Sequence, residues 1–269
     1  MLSSMKNKLP LLMFAFLPAL PINVAQGGIS LPQLSQDNLD SIERDMSADT
    51  NLHDALPPSS MGSIFGFEVG VVAGIAKSPG LAEQVKKVSS TDAGAIPHAG
   101  VVAAITVPFG ITIEALYLPK MTMGDFTYQQ YAGAVKWTFT DGWMIPVNIA
   151  ARGFMAKSTL NFDQTVSGTP TTMSNDTSVQ GLQLLASPKL IPIIEPYVGV
   201  GQLTATGTLS SSAPVSIFSF TNANSASSSF GTTQLLAGLD IHALFFGLGL
   251  EWSRAFNTDS YTAKLSVKF

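Results

Sequence analysis

In most segments from Gly62 to the last residue, apolar and polar positions alternate with a period of two, the spacing of strands with two different faces. The final segment, YTAKLSVKF, shows it most strictly. Tyr261, Ala263, Leu265, Val267 and Phe269 fall on one side, and Thr262, Lys264, Ser266 and Lys268 on the other. Ten such segments are expected, at 62–75, 99–107, 110–119, 125–140, 142–160, 175–187, 191–206, 230–243, 245–256 and 259–269. Their connections alternate in length. Pro108-Phe109-Gly110, Thr140-Asp141-Gly142, Ser187-Pro188-Lys189 and Leu244-Phe245-Phe246 are compact turns, whereas 76–98, 161–174 and 207–229 are long and 120–124 and 257–258 shorter. Short turns on one side and loops on the other predict an all-β fold, an antiparallel up-and-down transmembrane β-barrel of about ten strands.

The pattern changes before Gly62. Lys6 and Lys8 precede the apolar run LPLLMFAFLPAL and the small-residue stretch NVAQGG, so residues 1–27 read as a cleaved signal peptide. Residues 28–60 are polar and acidic, with Leu34, Leu39, Ile42 and Met46 at loosely helical spacing and Pro57-Pro58 as a stop. This is expected to be a short periplasmic helix or a plug, and a mobile linker fits its thin apolar face equally well. Residues 61–269 form the barrel. Within the loops, LAEQVKKV is expected to make one or two turns of surface helix, and Ile217, Phe218 and Phe220 to fold the 207–229 loop back on something.

Composition narrows the reading. Only 12% of residues are charged while 46% are hydrophobic, mean hydropathy is +0.29, and 23 glycines with 16 prolines argue against a helical bundle. Apolar surface spread over alternating strands is what a barrel in the outer membrane of a Gram-negative bacterium requires, with membrane lipids as its surroundings. A net charge of −4 gives no nucleic-acid footprint, and the absence of cysteine excludes disulfides and thiolate metal sites.

Alternation also assigns an inner face. Glu68, Glu114, Lys136, Arg152, Glu195, Asp240, Glu251 and Lys264 all point inward, with Gln130, Asn148, Gln234 and His242 nearby. Most lie a few residues from a short turn, which predicts one crowded layer of ion pairs low in the lumen, with Arg152 higher. Such a layer either fills the lumen or leaves a constriction selective for small cations. The first two strands are apolar or small on both faces, which marks Val69, Val71, Val72, Val101, Val102 and Ile105 as a candidate subunit or lipid interface. Leu116 and Leu118 extend that character inward on the third strand. Two aromatic girdles are expected, Phe109, Trp137, Phe139 and Trp143 near the turns and Tyr117, Tyr128, Tyr131, Trp252 and Phe256 nearer the outside.

Candidate chemistry is sparse. Of the three histidines, His53 precedes the barrel, His98 begins the second strand, and His242 stands two residues from Asp240 without a predictable nucleophile in reach. No catalytic group, metal site or cofactor is expected, and the chain reads as a non-enzyme.

Two resemblances bear on function. Leu265, Val267 and the terminal Phe269 resemble the C-terminal signal read by the barrel-assembly machinery. The stretch PPSSMGSIFGFEVGVVAGIA, after an acidic helical segment and before ten strands, resembles the PopA-type porin-like barrels of predatory bacteria. That resemblance implies a homo-oligomeric ring, a pentamer, that encloses membrane lipid, with no catalytic residues to carry over. A passive channel for small solutes is the alternative, and an outer-membrane lipid-modifying enzyme a more distant one.

Overall fold

A computed structural model describes residues 34–62, 64–87, 94–123, 126–166, 169–189, 193–212, 218–221 and 223–269. The signal peptide expected at 1–27 and Ile217 lie outside these residues. Among them, α1 (Gln36–Thr50) is followed by β1 (Gly66–Lys77), α2 (Pro79–Lys86), β2 (Ala95–Val107), β3 (Ile111–Met123), β4 (Phe126–Trp137), β5 (Val147–Val166), β6 (Thr169–Pro188), β7 (Ile194–Ser211), β8 (Ser225–Ala243), β9 (Phe246–Ala255) and β10 (Thr258–Lys268).

Each strand pairs antiparallel with its neighbours in sequence, and β1 closes on β10, so the sheet has no free edge. The seam is continuous to the last residue. Phe67 N donates to the Phe269 carbonyl at 2.8 Å and Phe269 N returns to the Phe67 carbonyl at 2.9 Å. Phe269 also stacks on Phe67 and Phe245, with ring centroids 4.9 and 5.4 Å away. Val71 lies opposite Leu265, and Val72 opposite Lys264, so the alternation read in the sequence runs unbroken across the closure.

Strand lengths depart from the expected set at one side. β5 and β6 each have 20 residues and are joined at 166–169, so the loop expected at 161–174 is mostly hairpin. β7 and β8 likewise absorb both ends of the loop expected at 207–229. These extensions carry Asn, Asp, Ser and Thr outward, and without an outward apolar face they read as loop. Their pairing partners, and not their hydropathy, make them strands.

Helix α1 is not a linker. Ser35 caps it, its Oγ accepting from Asn38 N at 3.3 Å, and Leu39, Ile42 and Met46 lie on a buried stripe. Helix α2 begins at Pro79, as the fixed φ of proline favours, and packs on α1 through Gly80 and Leu81, with Ala82 and Val85 buried. It is therefore only partly a surface helix. Lys87, after its last turn, stays exposed.

The plugged lumen as candidate functional site

Residues 34–61 run the length of the barrel interior. At the loop rim, Leu34 forms a parallel bridge with Phe218, and Ser219 N donates to the Leu34 carbonyl at 2.8 Å. At the opposite rim, which holds the short turns and Phe269, Met61 N donates to Thr106 Oγ1 at 3.2 Å. Between these points the segment touches nearly every strand.

Its upper half is helix and packs by apolar contact. Leu34, Leu39, Ile42 and Met46 form a cluster with Phe162, Met173, Leu209 and Phe218 from β5, β6, β7 and the β7–β8 connection. Phe218 folds inward as expected, whereas Phe220 is exposed and only rests on the Phe218 ring. Gly207 leaves room for the plug, because a Cβ there would collide with the Glu43 carboxylate. That carboxyl accepts from Asn175 Nδ2. Burial pushes its pKa up to about 8, against the lowering effect of the Asn175 hydrogen bond. Burial likewise raises Asp45 to about 6, where it accepts from Leu81 N at 2.8 Å and ties α1 to α2.

The lower half, residues 51–61, is irregular backbone, which must find partners away from water. Barrel side chains supply them. Gln130 Nε2 donates to the Thr50 and Asn51 carbonyls at 2.8 and 3.0 Å, Lys136 Nζ to the Pro57 carbonyl at 2.6 Å, and Thr138 Oγ1 to the Pro58 carbonyl at 2.6 Å. Ser59 in turn donates to Glu195 through N at 3.3 Å and Oγ at 2.6 Å.

All eight charged residues expected in the lumen are buried there, and their ion pairs fall into two groups. In one group Lys264 lies 2.6 Å from Glu68 and 3.4 Å from Asp240, and Lys268 lies 2.5 Å from Asp240 and 3.5 Å from Glu68. In a second, Lys136 lies 3.1 Å from Glu114, and Arg152 lies 3.0 Å from Asp54 and 3.5 Å from Glu114. Each group sets two cations against two anions. Asp54 and Lys268 complete the two groups, and the two remaining carboxylates, Glu195 and Glu251, are held by hydroxyls. Ser187 Oγ donates to Glu195 at 2.5 Å and Tyr197 OH to Glu251 at 2.9 Å. Lys268 carried a signal, since it continues the inward parity of Lys264. Asp54 carried none, because nothing local places a linker residue against β5.

The interface residues divide. Val69, Val71, Val101 and Ile105 face outward, but Val72 and Val102 point into the lumen and are buried beside Leu52 and Leu56. The first strands are apolar on both faces because the plug covers the inner one. Tyr128 and Phe256 are also inside rather than in the outer girdle.

One constellation has the form of a proton relay. His98 Nδ1 is 3.1 Å from Asp49 Oδ1 and its Nε2 is 3.3 Å from Thr262 Oγ1. All three groups are buried, and the His53 ring stacks on His98 at 4.4 Å. His53 Nε2 lies 3.0 Å from the Ala48 carbonyl, and burial holds its pKa well below the usual imidazole value, so it donates there as the neutral ring. Gly74 faces this site, where a Cβ would strike His98 Nε2. Enclosed on all sides, the relay ties the plug to β2 and β10 and offers no surface to a substrate. Asp240 and His242 approach only to 3.6 Å, and Asp240 is occupied by two lysines. Among the described residues, no group of three His, Asp or Glu side chains is arranged to hold a metal.

Open volume lies at the short-turn mouth, where a cavity of about 650 Å³ is bounded by plug residues Leu56, Pro57, Ser59 and Met61 and by Lys136, Glu195, Lys268 and Phe269.

Fold and site together define a closed ten-stranded barrel whose interior is occupied by its own N-terminal segment. The chain belongs to a family of unknown function, DUF6588, which matches residues 33–269. No curated protein matches it. Among solved structures it is similar to the attachment invasion locus protein Ail of Yersinia pestis, at 11% identity and a TM-score of 0.36 over 76% of this chain and 97% of that one. It is also similar to Neisserial surface protein A, at 9% identity and 0.31 over 76% and 95%, and to the P. putida toluene transporter TodX, at 10% identity and 0.33 over 78% and 70%.

Proposed function

We propose that this protein is a non-enzymatic porin-like barrel of the Gram-negative outer membrane that acts through its outer surface, with its lumen closed. The observation that carries this reading is the plug. From Leu34 to Met61 it runs through the interior, and in its irregular half the Asn51, Pro57 and Pro58 carbonyls accept from Gln130, Lys136 and Thr138. The surface left for function is the outward belt, where Val71, Val101, Leu182, Leu184, Val198, Leu235 and Leu265 stand exposed, as hydrocarbon demands. Leu265, Val267 and Phe269 form the outward edge of β10 and suit recognition by the barrel-assembly machinery.

The finer reading is a homo-oligomeric ring, pentameric in the barrels it resembles, enclosing membrane lipid. Support comes from the outward side of β1, β2 and β10, where Ala73 sits between Ala99 and Ala263 with Val69, Val71, Val101 and Ile105 around them. Small residues there permit close approach of a second barrel. Native mass spectrometry of the purified particle tests it. A multimer carrying phospholipid is expected, and a lipid-free monomer overturns the ring. Planar-bilayer recording tests the closed lumen. No steady current is expected from the intact chain, and a current sensitive to E114Q or K136Q overturns closure. The cavity at the short-turn mouth favours that second reading, a passive channel, because it opens the lower lumen as far as plug residues Leu56 to Met61.

A further inference from the structure

The short-turn rim is built with the wrong chemistry for water. Turn tips in water favour Gly, Asn and Asp, above all where φ is positive. Here Phe109 (φ 73°) and Leu244 (φ 55°) occupy left-handed positions and are 87% and 92% exposed, and Met144 between β4 and β5 is fully exposed. Among the described residues of these connections the charged side chains are Asp141 and Lys189, and Lys189 turns back, its Nζ 3.2 and 3.3 Å from the Thr140 and Trp143 carbonyls. One tip of the loop rim shows the opposite arrangement. At its Phe256-Asn257 tip, both in the left-handed region, the Phe is folded inside and buried while the Asn is exposed.

An apolar rim of this kind needs an apolar cover. Its identity follows from continuity, since Phe245 stacks on Phe269 and Phe269 on Phe67, so the β8–β9 tip runs without a polar break into the outward belt. Bacterial barrels keep their short turns on the periplasmic side, and we infer that the short-turn rim is a lipid-contact surface lying in the acyl region of the periplasmic leaflet, so that the barrel stops within that leaflet instead of crossing it. Leaflet phospholipid must then thin or fold over the turns. The inference rests on the membrane reading above and adds the depth at which the barrel sits.

Tryptophan fluorescence separates the two. The chain has three tryptophans, and W137F with W252F leaves Trp143 as a reporter at the tip. Replacing all three by Phe and adding L184W reports the belt. Both proteins are reconstituted in phosphatidylcholine vesicles, with and without chains brominated at mid-depth, and exposed to iodide on both sides. Trp143 is expected to lose emission to bromolipid to an extent comparable with the L184W reporter, and to resist iodide. Quenching of Trp143 by iodide but not bromolipid, with the L184W reporter still quenched by lipid, overturns the inference alone. Protection of Trp143 from both quenchers means a protein cover, such as a second copy, and overturns it too. If bromolipid quenches neither reporter, the membrane reading itself fails.

Discussion

Asp54 is the plug residue on which the second ion group depends, and D54N isolates its charge at nearly constant shape. Arg152 Nη1 donates to both Asp54 oxygens, at 3.0 and 3.2 Å, and neither side chain reaches solvent. With Asn in place, the guanidinium keeps Gln183 Oε1 at 2.6 Å and Glu114 at 3.5 Å. Removing one partner of a buried pair costs about 3–5 kcal/mol, and the surviving Glu114 contact places this case near ~3 kcal/mol. That is about a hundredfold shift from seated toward unseated plug. Trypsin cleavage after Arg44, inside α1, reads the unseated fraction, and planar-bilayer current reads the opened lumen. D54N is expected to raise both. Combining D54N with R152Q removes the stranded charge and leaves Glu114 paired with Lys136 at 3.1 Å, so the double variant is expected to recover most of the loss. Unchanged cleavage and current in D54N, or a double variant as impaired as the sum of the singles, refutes the assignment.

Three further outcomes follow from the same plug. G207A pushes a methyl into the Glu43 carboxylate, so it should expose Arg44 to trypsin, and the smaller E43S side chain should restore protection in the double variant. Glu43 and Asp45 have raised pKa values, so their protonated forms favour seating below their unfolded values of 4.5 and 3.8, and that contribution fades as pH climbs through about 6 for Asp45 and about 8 for Glu43. Asp40 on α1 and Asp176 on β6 also act on Glu43 and reinforce this sign. Cleavage after Arg44 should therefore increase between about pH 5 and about pH 9, and E43Q should flatten most of the rise. Finally, neither polar atom of the buried Asn51 amide has a hydrogen-bond partner, so N51L should stabilise the plug by about 1–3 kcal/mol, read as a higher temperature of plug release; a lower one would count against the placement of this side chain.

What the sequence determined is what depends on near neighbours along the chain. Strand parity is one such property, because successive side chains must point to opposite faces; Glu68, Glu114, Lys136, Glu195, Asp240, Glu251 and Lys264 were therefore legible as inward from their own strands alone. The four turns and the even strand count were legible for the same reason. Position around and along the barrel is another matter. Closure of the barrel brought the charges into two groups, one of them completed by Asp54 of the plug, and pairing between β5 and β6 turned an apparent loop into hairpin. The plug is the clearest case. Leu34 meets Phe218, Asp49 meets His98 and Asp54 meets Arg152 only after the barrel has closed around them. A thin apolar stripe on a polar helix carries no record of which surface will cover it. Only the tertiary structure decided that Val72 and Val102 bury against that segment, and so that the lumen they line is shut.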